Sequence, residues 1–344
     1  WYDNDSYSIF FPMLLMLIVS FAFSAENRGK KIYCGILAAI TLALYTMFWQ
    51  GWMFVATVLA ASGALLIILE RLMKKPSSER SGRFWMAFGL GALGGISVIF
   101  GMKEIFVLFH EGWQALLGFM NAKLSVWPET YIAVGELKKL SLSANIGLTG
   151  GWFALAISFF GLVSRTRQMF VEKNIVRHRL FIVTVIFAAA ASVISIGAQR
   201  FTLLCVTPFS ILFLFGIHDL LELITGLTAK IPQLRQPLIQ KVGVPAALCL
   251  VLIVPKAVHS ETTMIQLLDP LFNSTWENSL TWIRENTPPD SIIDTWWPPG
   301  HFIKAMAGRR VLFDGATINN PKGYWMASAL LATTEQEALA FLRL

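Results

Sequence analysis

Eight apolar runs dominate this sequence and leave it few folds. They lie near 6–25, 31–48, 52–69, 84–102, 147–164, 180–197, 201–218 and 243–258. A bilayer core about 30 Å thick takes about 20 helical residues. Backbone polar groups in lipid must be satisfied inside the segment, so such runs fold as helices. The spacing predicts an α-helical polytopic membrane protein with about eight transmembrane helices in residues 1–258. Composition agrees. Hydrophobic residues make up 55% of the 344 and charged residues 14%, against roughly 25% charged in a soluble domain. This excludes a disordered chain, a coiled coil, a disulfide scaffold and an ordinary soluble enzyme. Residues 259–344 have mixed polarity and Pro-Pro pairs at 288–289 and 298–299. They read as the beginning of an external, mixed α/β soluble domain. The chain opens at Trp1 without Met and stops at Leu344 inside a helical pattern, which predicts a piece of something longer.

The net charge of +7 has to be placed before it is interpreted. With residues 1–5 outside, the inner loops 26–30 (with Lys31), 70–83, 165–179 and 219–242 hold sixteen Lys and Arg. The outer segments before residue 259 hold five: Lys103, Lys123, Lys138, Lys139 and Arg200. That asymmetry fits the positive-inside rule through all eight runs. The basic charge is therefore a topology signal, and no nucleic-acid partner is expected. Residues 1–5, the long loop 103–146, the turn at Arg200 and the segment after 258 share the outer side.

Cys34, Cys205 and Cys249 sit singly in apolar runs and read as packing residues. The first run follows Asp3 and Asp5 where a signal peptide would be basic, so it reads as a span. Gly89-Leu90-Gly91-Ala92-Leu93-Gly94 matches a dinucleotide fingerprint. It lies inside a span without the strand that such a site requires, so close helix packing is the better reading.

Four features meet on the outer side, and each has a plain structural account beside a chemical one. Asp3-Asn4-Asp5 precedes a span, as helix-capping residues do; it also offers paired carboxylate oxygens to a divalent cation. The loop 103–146 is long for a connection and carries Glu129 and Glu136, either solvated acids or part of a site. Arg200 stands between two spans, where it anchors the helix ends or clamps a phosphate at the membrane surface. Ile292-Ile293-Asp294-Thr295-Trp296-Trp297-Pro298-Pro299-Gly300-His301 runs from a β-branched pair into adjacent tryptophans and a turn. Those tryptophans are interfacial anchors or a substrate platform.

In this order the four features resemble the catalytic subunit of the oligosaccharyltransferase family, including its single-subunit bacterial and archaeal members. Trp296-Trp297-Pro298-Pro299-Gly300-His301 is similar to the family's Trp-Trp-Asp-Tyr-Gly block. Ala307-Gly308-Arg309-Arg310 and Phe313-Asp314-Gly315-Ala316-Thr317 look like its continuation. Tyr2-Asp3-Asn4-Asp5, with an apolar run containing Pro12, resembles the second Asp-x-Asp motif. Ala133-Val134-Gly135-Glu136 resembles the Thr-Ile-x-Glu loop motif, and Gln199-Arg200-Phe201-Thr202 the segment of the phosphate-binding arginine.

The resemblance implies a GT-C type membrane glycosyltransferase with thirteen spans, of which five would precede Trp1 together with the first catalytic Asp. It implies transfer of an oligosaccharide from a polyprenyl-pyrophosphate carrier to a protein acceptor, an Asn side chain. Asp3, Asp5 and Glu136 would be catalytic, and Asp3 and Glu136 would hold Mg²⁺ or Mn²⁺. Arg200 would bind the donor pyrophosphate, and Trp296, Trp297 and His301 the acceptor polypeptide. The setting would be a prokaryotic plasma (inner) membrane with the site on its external or periplasmic face. Pro298 stands where the family has the Asp that helps bind the acceptor's Ser or Thr, and Ala133 stands in place of Thr. Another GT-C transferase with a different acceptor, or a non-enzymatic transporter or scaffold, are the competing readings.

Overall fold

The computed structural model describes residues 5–49, 51–74, 81–101, 141–172, 174–197, 199–228, 273–314 and 322–342, with single positions at 107, 110 and 243. The chain divides into two compact units. One comprises Trp1–Ala122 and Glu136–Gln240, the other Lys123–Gly135 and Lys241–Leu344.

The regular structure described in the first unit is all helical. Its helices are α1 (Asp5–Ser24), α2 (Arg28–Tyr45), α3 (Trp52–Leu72), α4 (Gly82–Phe100), α5 (Leu142–Leu148), α6 (Gly151–Glu172), α7 (Arg179–Gly197) and α8 (Thr202–Thr228). Asn27 starts α2 by accepting the Gly29 N–H on its side chain at 2.8 Å, so one orphan donor of the first turn is satisfied. On α1, Phe11, Leu15, Ile18, Val19 and Ala22 are buried, while Phe10, Met13, Leu17 and Phe21 are exposed. A helix apolar on both faces suits protein on one side and acyl chains on the other.

Small residues set how closely these helices approach. A Cβ on Gly91 would lie 2.8 Å from the Ala39 methyl, and one on Gly95 2.9 Å from that of Ala43, so α4 seats against α2. Of the three fingerprint-like glycines, Gly91 is a packing residue, while Gly89 and Gly94 face open space. The α6–α8 crossing is closer still. A Cβ on Gly216 would meet the Ile157 carbonyl oxygen at 2.1 Å, and one on Gly161 the Gly216 nitrogen at 2.5 Å.

Helices continue past the apolar runs and bring charge with them. α3 extends through Glu70, which is fully buried. Its Oε1 accepts from Arg179 Nε at 2.6 Å and its Oε2 from the Ser81 N–H at 2.8 Å. The two side chains are 1% and 2% exposed. α6 and α8 likewise extend to Arg165 and Asp219, which pair at 2.5 Å. A charge in a spanning helix is costly unless paired, and both pairs join helix ends that the Lys and Arg distribution puts inside.

Fewer than the expected eight spans are found among the described residues. Among the described residues, five helices are long and apolar enough to cross a membrane: Ser6–Ser24, Trp52–Leu72, Gly82–Phe100, Arg179–Gly197 and Thr202–Leu227. α2 forms where the run 31–48 predicts a helix, but Arg28, Lys30 and Lys31 load its first turn with charge. The run 147–164 is not one straight span. α5 and α6 meet at 82°, and six spans result if the pair counts as one. Gly150 (φ +118°) and Gly151 (φ +82°) make that corner, in a region that only glycine occupies without strain. The run 243–258 and the loop residues 111–140 lie outside the described residues.

The second unit contains α9 (Ser274–Asn286), a two-residue strand β1 (Ile292–Ile293), α10 (Trp297–Phe302), a π turn (Ile303–Ala307), β2 (Arg310–Val311), α11 (Lys322–Leu331) and α12 (Glu335–Leu342). β1 and β2 pair in parallel, Ile292 with Arg310 and Ile293 with Val311. Asn273 caps α9 through the Thr275 and Trp276 N–H groups at 3.1 and 3.2 Å. Arg309 closes its other end, donating to the Arg284 and Thr287 carbonyls at 2.5 and 2.7 Å. Leu280, Ile303 and Ala307 form the small core. The strand pair is the extent of sheet among the described residues, and the α/β character expected of this segment amounts to that.

Candidate functional site

The site residues expected from the sequence fall in both units, and each unit is described by itself. In the first, Asp3 and Glu136 lie outside the described residues. Asp5 is the first residue of α1. Arg200 lies in the 3₁₀ turn Gln199–Phe201, between the end of α7 and the start of α8. That is the tight connection its flanking runs predict. Phe201 beside it is buried in the main core, so the turn is anchored on one side.

In the second unit the tryptophan block is a built turn. Trp296 is the N-cap of α10, with extended backbone, and Trp297 is the first helical residue. Pro298 and Pro299 follow in the first turn, where missing N–H groups cost nothing. Gly300 allows the block to close. A Cβ there would lie 2.7 Å from Asp314 Cβ and 2.8 Å from the Phe313 carbonyl oxygen. The Trp296 ring meets Phe313 edge-on at 5.6 Å. Asp314 is 1% exposed and forms an ion pair with Lys304. The two sequence stretches, 296–301 and 313–314, thus make one local body.

The side chains of this block are only partly covered. Both tryptophans are half-buried, His301 is half-buried and Pro298 is exposed. Trp297 Nε1 is itself buried and has no hydrogen-bond partner among the described residues. A buried indole N–H is a donor that native structures almost always pair, so this one stands out. Asp294, just upstream, has its carboxyl raised above the ordinary value of 3.8, mainly by burial, with an opposing hydrogen bond from the Thr295 backbone. The sequence pointed to Trp296, Trp297 and His301. It gave no role to Lys304, whose partner Asp314 is recognisable as an acid set between apolar and glycine residues.

Among the described residues, one group could gather around a metal: His218, Asp219 and Glu222 of α8, with ligand atoms within 4.8 Å of one another. Arg165 already occupies that space. Its Nη2 lies 2.5 Å from Asp219 Oδ1 and 3.1 Å from His218 Nδ1. A guanidinium there opposes a second cation, so this cluster is an ion-pair network.

No protein-family model matches the chain. Curated relatives do. A dolichyl-phosphooligosaccharide-protein glycotransferase of Methanocaldococcus jannaschii is 24% identical over 90% of this chain and 40% of its own length. One of Methanococcus voltae is 23% identical over 96% of this chain and 46% of its own. The chain therefore spans less than half the length of these relatives. Among solved structures, the Archaeoglobus fulgidus oligosaccharyltransferase AglB, in complex with an inhibitory peptide and a dolichol-phosphate, matches 99% of this chain and 51% of its own, with a TM-score of 0.69 and 13% identity. An Archaeoglobus fulgidus oligosaccharyltransferase in complex with zinc and sulfate gives a TM-score of 0.66 at 14% identity, over 99% of this chain and 48% of its own. In sequence over most of its length this chain is similar to archaeal dolichyl-phosphooligosaccharide-protein glycotransferases, and in fold over nearly all of it to an archaeal oligosaccharyltransferase.

Proposed function

We propose that this chain is part of a membrane glycosyltransferase that moves an oligosaccharide from a polyprenyl-pyrophosphate carrier to an asparagine side chain of a polypeptide. The observation that carries the reading is the ordered set of four motifs, at Asp3–Asp5, Glu136, Arg200 and Trp296–His301, in a chain that aligns along 90% of its length with an archaeal glycotransferase. The enzyme sits in a prokaryotic plasma membrane with its site on the external face. Its partners are the bilayer, the lipid-linked donor and the acceptor chain, and it has no nucleic-acid partner.

The residue chemistry supports this assignment. An amide nitrogen is a poor nucleophile because its lone pair is delocalised into the carbonyl. Asp3 and Asp5 would accept the acceptor's two N–H groups and turn that nitrogen toward the sugar. Arg200 would receive the departing pyrophosphate with its planar fork of donors. Trp297, with an indole N–H free of partners among the described residues, would donate to the acceptor backbone. Asp3 and Glu136 offer oxygen atoms alone, a donor set that fits Mg²⁺ or Mn²⁺. Such an ion would neutralise charge developing on the leaving group.

Pro298 favours one departure within this reading. It has neither a side-chain acceptor nor an N–H, so selection of a Ser or Thr hydroxyl after the asparagine is weakened. The test uses the full-length protein, purified with its lipid-linked donor and a labelled asparagine peptide, with a glycopeptide shift as readout. Glu136→Gln lowers transfer by orders of magnitude while expression and folding persist; unchanged turnover removes Glu136 from the site. Peptides with Thr or Val two places after the asparagine are used at similar rates. A Thr preference of about 10⁴ refutes the departure while leaving the transfer reading intact.

A further inference from the structure

A single buried amide ties down both sides of the turn that carries Arg200. Asn145 lies on α5 and is 9% exposed. Its Nδ2 donates to Ser195 Oγ, near the end of α7, at 3.0 Å. Its Oδ1 accepts from Thr202 Oγ1, at the first residue of α8, also at 3.0 Å. Ser195 in turn donates to the Ser192 carbonyl at 2.9 Å. Ser195 and Thr202 are both buried and lie on either side of the turn Gln199–Phe201. The result is a chain of hydrogen bonds, Thr202 to Asn145 to Ser195 to Ser192, in which each link polarises the next.

The arrangement does more than join helices. Small residues already allow close approach elsewhere in this unit, at Gly91, Gly95, Gly161 and Gly216. A buried amide is costly unless its donor and acceptor are both used, and here both are used, on the two sides of one three-residue turn. α5 is itself held. Thr149 Oγ1 lies 3.1 Å from the Asn145 and Ile146 carbonyls, immediately before the glycine corner. Asn145 is also nine residues past Glu136 in sequence.

We infer that Asn145 is a positioning residue for the donor phosphate site. It ties both flanks of the Arg200 turn to α5, the helix that follows the Glu136 segment, so that the backbone carrying Arg200 is held in one place. This rests on the oligosaccharyl transfer proposed above and concerns its donor side.

The test is steady-state transfer by the full-length protein with the donor and the acceptor peptide varied separately. Thr202→Val keeps the side-chain shape and removes one bond; Asn145→Ala removes both. The apparent KM for the lipid-linked donor rises roughly three- to tenfold, as for one or two lost neutral hydrogen bonds, while the peptide KM stays unchanged. In an Arg200→Gln background the same substitutions add nothing, because they act through Arg200. Equal shifts in both KM values, a fall in kcat alone, or full additivity with Arg200→Gln overturns the inference and marks Asn145 as a packing residue. If Asn145→Ala does not fold, Thr202→Val decides alone. Absence of transfer by the unmutated protein overturns the functional reading and this inference with it; transfer with unchanged donor KM in the variants overturns this inference only.

Discussion

Removing Glu70 leaves Arg179 charged, 2% exposed and without its carboxylate. It also removes the acceptor of the Ser81 N–H. Breaking one side of a buried ion pair costs about 3–5 kcal/mol, and an orphaned buried N–H adds about 1–3 kcal/mol. Glu70→Leu is therefore expected to lose about 4–6 kcal/mol, toward the lower part of the sum because the losses share one locality. At about 2–4 °C per kcal/mol for a chain region of this size, the melting point falls by roughly 8–24 °C. Two companions separate the causes. Glu70→Gln retains an acceptor for Ser81 and loses only the charge, so it falls between. Glu70→Leu with Arg179→Met removes both charges and recovers most of the loss, because apolar replacements of buried pairs are often neutral. The assay is thermal unfolding of the full-length protein in detergent, followed by the surviving monodisperse fraction. If the single and double variants melt together, or Glu70→Leu loses under about 1 kcal/mol, then Arg179 reaches water by extending its side chain and the argument fails.

Three further perturbations address other parts of the molecule. Gly216→Ala drives a methyl into the Ile157 carbonyl and sharply lowers thermal stability, whereas Gly89→Ala, facing open space, leaves it unchanged; equal effects refute the α6–α8 crossing. Asn273→Ala removes the cap of α9 at a cost of about 0.5–2 kcal/mol, and Asn273→Asp, which still accepts both N–H groups, is spared, as hydrogen exchange of the first turn will show. The folded Asp294 carboxyl binds its proton more tightly than the unfolded chain does. Stability therefore declines as pH rises from the ordinary carboxylate range through the raised value; Asp294→Asn abolishes that slope in unfolding measured across pH, and an unaltered slope assigns it to other groups.

Helix positions were legible because apolar runs and bilayer thickness impose the same length, and seven of the eight runs coincide with helices among the described residues. Helix ends were not legible. Glu70, Asp219 and Glu222 looked like loop residues because hydropathy falls where they begin, yet the backbone stays helical and Arg179 and Arg165 neutralise Glu70 and Asp219. The corner at Gly150 and Gly151 was hidden for a related reason: two glycines in an apolar stretch lower a propensity without announcing a direction change. At the candidate site, the block Trp296–His301 stood out by composition, and Arg200 by its isolation between runs. Asn145 did not stand out, since its significance lies in partners 50 and 57 residues away, a separation that no local pattern encodes.

The contrast between Pro298 and Gly300 bears on how such a turn can be re-specified. Position 300 tolerates no side chain, since the Phe313–Asp314 backbone lies directly against it. Position 298, two residues earlier, is exposed and lies in the first turn of the same helix. An aspartate at 298 therefore needs no repacking of the Trp296–Phe313 contact, and its charge lies in the first turn of the helix, where carboxylates are favoured. The local body formed by 296–301 and 313–314 thus behaves as a socket. Its frame is closely packed at Gly300, while at Pro298 its rim is exposed, so an exchange there is expected to alter which chemical group faces outward without disturbing the frame.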